Sequence, residues 1–433
     1  MNEFAIREST LAGVDDAEIA AAVERSVADC RDRLKNVLLI VPDFTRYHSN
    51  AGLISNIYYH LLKGSCQVDL LVALGTHIPI TKDECASMYG DIPFERFTMH
   101  TWRSGVKKLG TVPGEFIAEV SDNLVNTPIE AEVNQKLWDG YDLILSIGQV
   151  VPHEVAGMAN QSKNIFVGCG GADMINASHM LGAFYGMERI MGKDHSPVRK
   201  VFDYAERQYL GELPLSYVLT VTTAPSGVIH THGLYFGRAR TWFEQAVAHS
   251  QQTNLTFVDA PLEKVVVCLD GGEFKTTWLG NKSIYRTRMA IADGGQLIVL
   301  APGVTRFGED EDIDRLIRKY GYAGRENIIR ACRENSDLRE NLSAAAHLIH
   351  GSSDGRFSVT YCTQHLTKQD VERVHFNHMP YTEATSKYDP AQLRDGFNIL
   401  PDGEEIYYIS NPALGLWAVK SKFAHSPNDK YKW

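Results

Sequence analysis

The sequence predicts an α/β protein with two lobes and mostly parallel sheets. Short apolar, β-rich runs alternate with helix-like segments, and this alternation occurs early in the chain and again from about residue 264. Helices between short strands imply right-handed crossovers. A chain of 433 residues is also too long for one hydrophobic core. We expect an N-terminal lobe, 1–262, that carries the functional side chains, and a C-terminal lobe, 263–433, that closes a cleft between the two.

The elements of the first lobe follow from these runs. A helix is predicted from about Asp15 to Leu34, then the strand NVLLIVPD ending at Asp43, a helix from about Ala51 to Lys63, and the strand VDLLVALG. Two further strands are predicted, YDLILSIG at 141–148 and KNIFVGCGG at 163–171. Because the carboxyl ends of parallel strands share one edge of a sheet, ligand-binding residues are expected there.

The second lobe repeats the pattern. The segment from LPLSY to AVAHS, 213–250, predicts strands followed by a helix that carries the chain across. The predicted elements after it are the strand KVVVCLDGG, a helix around Ser283 to Ala292, the strand GGQLIVLAPG, an acidic helix start at Asp310 to Asp314, and the strand RFSVTYCTQ. The polar tail SKFAHSPNDKYKW is expected to be partly disordered.

Composition narrows the classes of function. The net charge is −10 with a pI near 5.9, and no dense Lys/Arg tract occurs, which argues against nucleic-acid or anionic-membrane partners. No apolar run approaches the length of a membrane span, and the acidic N-terminus has no signal-peptide pattern, so we expect a cytoplasmic protein with a small-molecule substrate. Seven scattered cysteines without a C-x-x-C pair predict reduced thiols rather than disulfides or a structural zinc site.

Two predicted strand ends in the first lobe carry candidate functional residues. The tetrapeptide DFTR contains Asp43, which can accept a hydrogen bond from a histidine ring, and Arg46, which can grip a carboxylate. An N-cap aspartate with a solvated arginine is the alternative. In GTHIP, His77 is placed either to accept a proton from an alcohol or to bond to the turn backbone.

Two later segments add further candidates. His153 in GQVVPHEVAG has the same two interpretations as His77. Lys163 opens a predicted strand, and His179 follows sixteen residues later, although a lone lysine is usually solvated and a lone histidine is more often structural than a metal ligand. Gly170 and Gly171 in GCGGAD either let backbone amides approach a phosphate or form a turn without a ligand.

Taken together, this ordered set resembles the nickel-pincer lactate racemase family. The matching features are D-x-T-R at 43–46, G-x-H-x-P at 75–79 with Thr81 and Glu84 in place, a histidine ten residues before Lys163, and a second histidine sixteen residues after it. The resemblance covers about residues 35–180 well. It extends more loosely into the second lobe, from VVVCLDGG to LIVLAPG.

The resemblance implies an enzyme that inverts C2 of a 2-hydroxy acid by hydride transfer. Its cofactor is a nickel-pincer nucleotide of the nickel pyridinium-3,5-bisthiocarboxylic acid mononucleotide type, made by separate cofactor-biosynthesis proteins. The implied roles are covalent attachment at Lys163, nickel ligation by His179, acid/base catalysis by His77 and His153, carboxylate binding by Arg46, support of the site by Asp43, and cofactor approach at Gly170 and Gly171.

Two departures from the family pattern predict a different substrate. The proline that commonly follows D-x-T-R is replaced by Tyr47, and the Gln and Lys of the second lobe become Arg286 and Met289 in SIYRTRM. We therefore expect a 2-hydroxy acid longer or more polar than lactate, such as a sugar acid or a dicarboxylate. Arg286 or Arg288 would then contact an additional anionic group, unless both arginines lie on a solvent-exposed helix face.

Two other classes of function remain open from the residues. A zinc- or iron-dependent hydrolase or dehydratase would use His77, His153 and His179 as direct metal ligands. A non-enzymatic carboxylate-binding protein on the same scaffold is the other alternative. The presence of two candidate bases argues against it, since binding alone needs no pair of bases.

Overall fold

The computed structural model describes residues 1–413 and 415–424. The chain forms two compact units: Met1–Leu181 with Ile190–Asn254, and Gly182–Arg189 with the chain from Leu255 onward. The expected boundary at residue 262 stays a prediction. Of the polar tail, Lys420–Ala424 is helical, and residues 425–433 lie outside the described residues. No helix in the described ranges is long and apolar enough to cross a bilayer.

The first unit contains eleven strands and most of eight helices. The strands are β1 Phe4–Arg7, β2 Asn36–Val41, β3 Gln67–Val72, β4 Phe97–Met99, β5 Val106–Val112, β6 Ile129–Asn134, β7 Leu143–Gln149, β8 Pro152–His153, β9 Gly157–Met158, β10 Leu215–Thr223 and β11 His230–Gly237. The helices are α1 Asp16–Val27, α2 Ala51–Leu62, α3 Lys82–Tyr89, α4 Gly114–Val120, α5 Ala172–Tyr185, α6 Met187–Ile190, α7 Pro197–Tyr209 and α8 Arg240–Asn254; α5 and α6 continue into the second unit.

A seven-stranded sheet organises this unit, in the order β1-β11-β10-β7-β2-β3-β4. Strands β10, β7, β2, β3 and β4 pair in parallel, and β11 pairs antiparallel with both β1 and β10. The two-stranded ladders β5-β6 and β8-β9 are separate. The predicted class, mixed α/β with mostly parallel sheets, is confirmed.

Both faces of the sheet are buried, as the continuous apolar strands predict. Along β2, Leu38 and Ile40 belong to one core, while Val37, Leu39 and Val41 belong to the other. This alternation places helices on both sides of β2. Strand β2 ends at Val41, and at this carboxyl end of the strand the chain turns into the segment that contains Asp43.

One predicted strand of the first unit is wrong. KNIFVGCGG does not join the sheet; Asn164–Gly168 form a π-helix. An apolar run of this length does not distinguish a strand from a buried helical turn. Ile165 and Phe166 are fully buried, and the Asn164 side chain donates to Ser146 Oγ of β7 at 2.9 Å, so the segment packs on the sheet instead of extending it.

The second unit has a six-stranded sheet in the order β16-β15-β14-β13-β18-β17, parallel except for the β17-β18 pair. Its strands are β12 Leu255–Val258, β13 Leu262–Cys268, β14 Ile291–Ala301, β15 Ser358–Thr363, β16 Asn377–Pro380, β17 Gly396–Ile399, β18 Glu405–Ile409 and β19 Leu416–Val419. Its helices are α9 Thr277–Gly280, α10 Lys282–Tyr285, α11 Glu311–Tyr320, α12 Arg325–Glu334, α13 Ser336–Arg339, α14 Leu342–His350, α15 Lys368–Arg373, α16 Tyr381–Lys387 and α17 Lys420–Ala424.

The helix predicted around Ser283 to Ala292 is also wrong in extent. The short helix α10 ends at Tyr285, and the chain enters β14 at Ile291. Ile291 pairs with Leu262 of β13, so the apolar residues after Thr287 serve the sheet. The acidic helix start at Asp310 is correct, since the Asp310 side chain caps α11 by accepting from the Ile313 amide. All seven cysteines are free thiols.

Candidate active site

Asp43 and His77 meet at the carboxyl edge of the first unit's sheet. Asp43 follows β2 and His77 follows β3, and these two strands are adjacent and parallel. His77 Nδ1 lies 2.9 Å from Asp43 Oδ2, with Asp43 buried and the His77 side chain 41% exposed. A carboxylate can only accept, so Nδ1 carries the proton and Nε2 keeps a lone pair that faces outward.

Asp43 also caps the turn that follows it. Its Oδ1 accepts from the Thr45 amide at 2.8 Å, so the capping alternative and the histidine contact both occur. Burial opposes the charge of Asp43, but His77 and Arg46 outweigh it and hold the pKa of this carboxyl well below its usual range. The buried Tyr89 hydroxyl donates to the Pro42 carbonyl and fixes the backbone just before Asp43.

Arg46 lies in the turn that follows β2, three residues after Asp43. Its Nη1 donates to Thr45 Oγ1 at 3.2 Å, and in residues 1–413 and 415–424 it forms no ion pair. Its positive charge nevertheless lowers the pKa values of Asp43, His153 and Lys163, which places all three within electrostatic range. A guanidinium without an ion pair, within electrostatic range of His153, suits a small carboxylate.

His153 has surroundings opposite to those of His77. The ring is buried, and Nδ1 accepts from the backbone amides of Val155 at 3.1 Å and Ala156 at 3.4 Å. The neutral ring therefore carries its proton on Nε2. Burial, followed by the charges of Lys163 and Arg46, holds the pKa of His153 well below its ordinary value despite the opposing charge of Glu154.

Lys163 sits at the start of the π-helix. It has no hydrogen-bond partner within the described parts of the chain, and burial together with the Arg46 charge lowers the pKa of its amine to about 8. The π-helix is joined to the His77 turn, because the Gly75 amide donates to the Gly168 carbonyl at 2.9 Å. Single π-turns are rare and often occur at functional sites.

His179 is held on α5 in a form suited to a metal. Its Nδ1 donates to the Ile175 carbonyl at 2.6 Å, which leaves the Nε2 lone pair free of that bond. Burial is the main cause that lowers its pKa, and the charge of Lys163 adds to the effect, so the ring is neutral. Metal-binding histidines typically donate their other nitrogen to such a carbonyl.

The glycines after the π-helix have a structural role that accounts for them. The Gly170 amide donates to the Val167 carbonyl at 3.3 Å and the Gly171 amide to the Glu132 carbonyl at 3.1 Å. A Cβ on Gly170 would lie 1.8 Å from the Phe166 carbonyl oxygen. Both amides already donate to backbone carbonyls, which disfavours the phosphate contact that the sequence predicted for them.

Arg286 and Arg288 belong to the second unit and are both buried, which excludes the solvent-face alternative. Arg288 donates to Glu188 Oε1 at 3.0 Å, to the Ser352 carbonyl at 3.0 Å and to Asp354 Oδ2 at 2.9 Å. Arg286 Nη1 donates to the Gly415 carbonyl at 2.8 Å. Two carboxylates already neutralise Arg288, which makes it the weaker candidate for an additional substrate anion.

Two charged residues near this site were not identified from the sequence. Glu154, next to His153, acts electrostatically on His153, Lys163 and His179. Arg199 of α7 is fully buried and lowers the pKa of Lys163. A charge within the apolar stripe formed by Val198, Val201 and Phe202 is the signal that points to Arg199.

The geometry weighs against a metal held directly by three histidines. Among the described residues, the group of three or more His, Cys, Asp or Glu side chains with mutually close ligand atoms is Asp194, His195 and Glu244, and both carboxylate oxygens of Asp194 already accept from Arg240. His77, His153 and His179 form no such group. The four side chains of the first unit instead have separate chemical properties. They are a possible base (His77), a buried hydrogen-bond donor (His153), an amine (Lys163) and a ring nitrogen that could bind a metal (His179).

Comparison with known proteins identifies the N-terminal part of the chain. Residues 6–191 match the model of the lactate racemase N-terminal domain. A lactate racemase from Thermoanaerobacterium thermosaccharolyticum is 22% identical over 297 residues, which are 64% of this chain and 62% of that protein. The chain thus spans less than two thirds of this curated relative.

Two solved structures share the fold. A protein from Thermotoga maritima has a TM-score of 0.80 at 22% identity, covering 94% of this chain and 99% of that one. The lactate racemase apoprotein from T. thermosaccharolyticum has a TM-score of 0.69 at 17% identity, covering 95% of each chain. Residues 6–191 thus match the lactate racemase N-terminal domain, and the two solved structures share the fold of the chain.

Proposed function

We propose that this protein is an isomerase that inverts C2 of a 2-hydroxy acid. The observation that carries the proposal is the buried Asp43 carboxylate hydrogen-bonded to the half-exposed His77, within electrostatic range of Arg46. This arrangement provides a base for a hydroxyl and a cation for the adjacent carboxylate. The match of residues 6–191 to the lactate racemase N-terminal domain supports the same reaction class.

The residues present fit a lysine-tethered nickel-pincer nucleotide. Lys163 supplies an amine with a lowered pKa and no protein partner in the described ranges, and His179 supplies a neutral ring whose Nδ1 is already bonded to a carbonyl. Lys163 would hold the group covalently and His179 Nε2 would ligate the nickel. When bound, the group supplies a reversible acceptor for the C2 hydride. Separate proteins would have to make it.

Substrate binding is assigned to Arg46. Its planar guanidinium matches a carboxylate through two parallel hydrogen bonds, and it forms no ion pair in the described parts of the chain that would compete. Fixing the C1 carboxylate leaves the C2 hydroxyl next to the histidines. Arg46 also disfavours protonation of His153, which keeps that ring neutral.

His77 is the better general base of the two histidines. Asp43 holds its Nδ1 proton and would stabilise the imidazolium after Nε2 takes the hydroxyl proton. His153 has the opposite arrangement, because two backbone amides donate to its Nδ1 and leave Nε2–H as a donor. We assign to His153 the donation of that hydrogen bond to a substrate oxygen. It can act as a base at Nε2 only in the tautomer that carries the ring proton on Nδ1, which the two donating amides disfavour.

The substrate is proposed to be longer or more polar than lactate. The proposal depends on Arg286, a buried arginine at the position where the family pattern has a glutamine. A buried charge-assisted hydrogen bond contributes about 1.5–3 kcal/mol. Loss of Arg286 would therefore lower kcat/KM by about ten- to a hundredfold for a dicarboxylate or a sugar acid and little for lactate.

The test measures the mass of the protein, its bound metal and the stereochemistry of the product. Protein produced together with the cofactor-making proteins is measured for bound nickel, for added mass on Lys163, and for racemisation of lactate, malate and gluconate. Lys163→Ala should lose the covalent mass and His179→Ala should retain less nickel, with both variants folded. Zinc on an unmodified, active chain would contradict the proposal.

The arginine variants separate the substrate from the reaction class. Arg286→Ala is compared with Arg288→Ala over the same acids. If wild type prefers lactate over every longer acid, the substrate proposal is wrong and the reaction class stands.

A further inference from the structure

The loop immediately before Lys163 has an unusual backbone. Asn160 and Gln161 are consecutive non-glycine residues with positive φ, 68° and 54°. Non-glycine residues rarely adopt this backbone conformation, which persists only where the surroundings enforce it. The Gln161 carbonyl then accepts from the Asn164 amide at 2.8 Å, which starts the helical turn that carries Lys163.

Arg199 provides the main constraint on this loop. Its guanidinium donates to the Met158 carbonyl at 2.6 Å, to the Asn160 carbonyl at 3.0 Å and to Ser162 Oγ at 2.9 Å. All three acceptors lie within five residues of sequence, directly before Lys163. One planar group thus fixes both ends and the middle of the loop.

Two acidic residues on the same helix complete the support. Ser162 Oγ donates to Asp203 Oδ1 at 2.6 Å, and Gln161 Nε2 donates to Glu206 Oε2 at 3.3 Å. Residues 199, 203 and 206 are spaced by four and three, so they share one face of α7. This face contacts every residue from Asn160 to Ser162.

Folding stability alone does not explain a cation at this position. Arg199 is fully buried, and its three direct acceptors are neutral loop oxygens, while the Asp203 and Asp194 carboxylates favour its charge only through space. The other described contact of the guanidinium is the face of the Phe243 ring, 4.5 Å away. Burying a charge costs several kcal/mol, and apolar replacements of buried charges often stabilise proteins. The specific geometry of the loop is what the arginine secures.

We propose that Arg199 is a positioning residue that holds the Met158–Ser162 loop and thereby fixes the Lys163 amine in the site with Arg46 and His153. The inference rests on the proposed function for the role of Lys163, and on the hydrogen bonds alone for the loop. Arg199 touches neither substrate nor cofactor in this assignment. Its effect passes through the backbone.

The first experiment uses the full-length protein without cofactor. Hydrogen exchange is measured in peptides covering residues 157–168 for wild type, Arg199→Met, Arg199→Lys and Arg240→Lys. Arg240 is the matched control, because it is a partly buried arginine on α8 that donates to Asp194 and Asp203 and reaches the loop only through Asp203. The Asn164 amide should exchange about tenfold faster or more in Arg199→Met, with Arg199→Lys intermediate and Arg240→Lys close to wild type. Equal exchange in all four proteins would overturn the proposal.

The second experiment measures the covalent mass on Lys163 after production with the cofactor-making proteins. Arg199→Met should carry less than about a tenth of the wild-type adduct, and Arg199→Lys an intermediate fraction. Wild-type loading in a folded Arg199→Met would refute the positioning role. If Arg199→Met does not fold, Arg199→Lys decides by the same criteria. If wild type itself carries no adduct, the cofactor assignment fails, and the exchange experiment alone decides whether Arg199 holds the loop.

Discussion

At the level of single residues, the two candidate histidines differ in what binds Nδ1. A carboxylate accepts from Nδ1 of His77, and backbone amides donate to Nδ1 of His153. The first arrangement stabilises an imidazolium and the second disfavours it. The two neutral rings therefore carry their protons on opposite nitrogens, Nδ1 in His77 and Nε2 in His153.

Asp43→Asn tests the first arrangement. The amide keeps the size of the side chain but removes the negative charge that supports protonated His77. We expect kcat/KM of cofactor-loaded protein to fall by about 10²- to 10⁴-fold, as for other histidines that lose a supporting carboxylate. The measurement is the initial rate of racemisation of the preferred acid.

The chain supplies a matched control for this variant. Asp91 forms the same type of pair with His60, at 2.7 Å on the exposed surface. Asp91→Asn should leave kcat/KM within about twofold of wild type, because exposed pairs contribute little. Equal losses in the two variants would show that the Asp43 effect is not specific to the site.

Lys163 gives a prediction that needs no cofactor. Burial and the charge of Arg46 lower the pKa of its amine to about 8, whereas an ordinary lysine titrates near 10.4. Acylation of the unloaded protein, followed by mass spectrometry of peptides, should therefore show a rate midpoint near pH 8 at Lys163. The exposed Lys63 serves as the internal comparison. A common midpoint for both lysines would contradict the assigned environment.

The proximity of Asp43 and His77 was predictable because both follow strands of a parallel sheet. Asp43 and His77 come directly after β2 and β3, and adjacent parallel strands bring such residues together. Arg199 was not predictable in this way. It lies on a helix and reaches the site through three backbone and side-chain acceptors, a relation that depends on the tertiary path of the loop.

At the level of elements, the π-helix Asn164–Gly168 determines where Lys163 sits. A strand in its place would alternate side chains between two faces, whereas the helical turn buries Ile165 to Gly168 together. The Val167, Gly168 and Cys169 carbonyls accept from the Gly170, Gly75 and Asn134 amides. These bonds tie the turn to the His77 loop and to β6.

Gly170→Ala should break this element. The added Cβ would lie 1.8 Å from the Phe166 carbonyl oxygen, a backbone atom that cannot move without distorting the π-helix. We expect the free energy of unfolding to fall by about 1–3 kcal/mol, measured by urea denaturation. In Gly211→Ala the Cβ would come no closer than 4.0 Å to the Arg207 carbonyl oxygen, so this control should change it by less than about 0.5 kcal/mol.

The elements predicted wrongly have one physical cause in common. KNIFVGCGG and the region from Ser283 to Ala292 are short apolar segments flanked by glycine or polar residues, where periodicity does not separate a strand from a buried turn. Strands β2, β3 and β7 were predicted correctly, and capped helices lie beside two of them in the chain, α1 before β2 and α3 after β3. The Asp15 and Thr81 capping boxes are examples of such caps.

At the level of the whole molecule, buried neutral histidines make stability depend on pH. Five histidines in the first unit have pKa values lowered chiefly by burial: His100, His153, His179, His232 and His249. The folded state therefore binds fewer protons than the unfolded chain as the pH falls below about 6.5. Their contribution to stability is present above that pH and is lost as the pH falls. Glu206 opposes this trend, because burial raises its pKa to about 7 and the folded state then binds a proton that the unfolded chain releases.

Two substitutions should change this slope in opposite directions. His100 donates from Nε2 to the Gly170 carbonyl and accepts at Nδ1 from Asn134, so protonation at Nδ1 would break a bond behind the π-helix. His100→Gln removes one titrating group and should make the free energy of unfolding less dependent on pH between about 5 and 6.5, by up to about 1.4 kcal/mol per pH unit. Glu206→Gln removes the opposing group and should make the dependence steeper. Urea midpoints measured at half-unit pH intervals give both slopes, and a His100→Gln slope equal to that of wild type would mean that this ring is not held neutral by the fold.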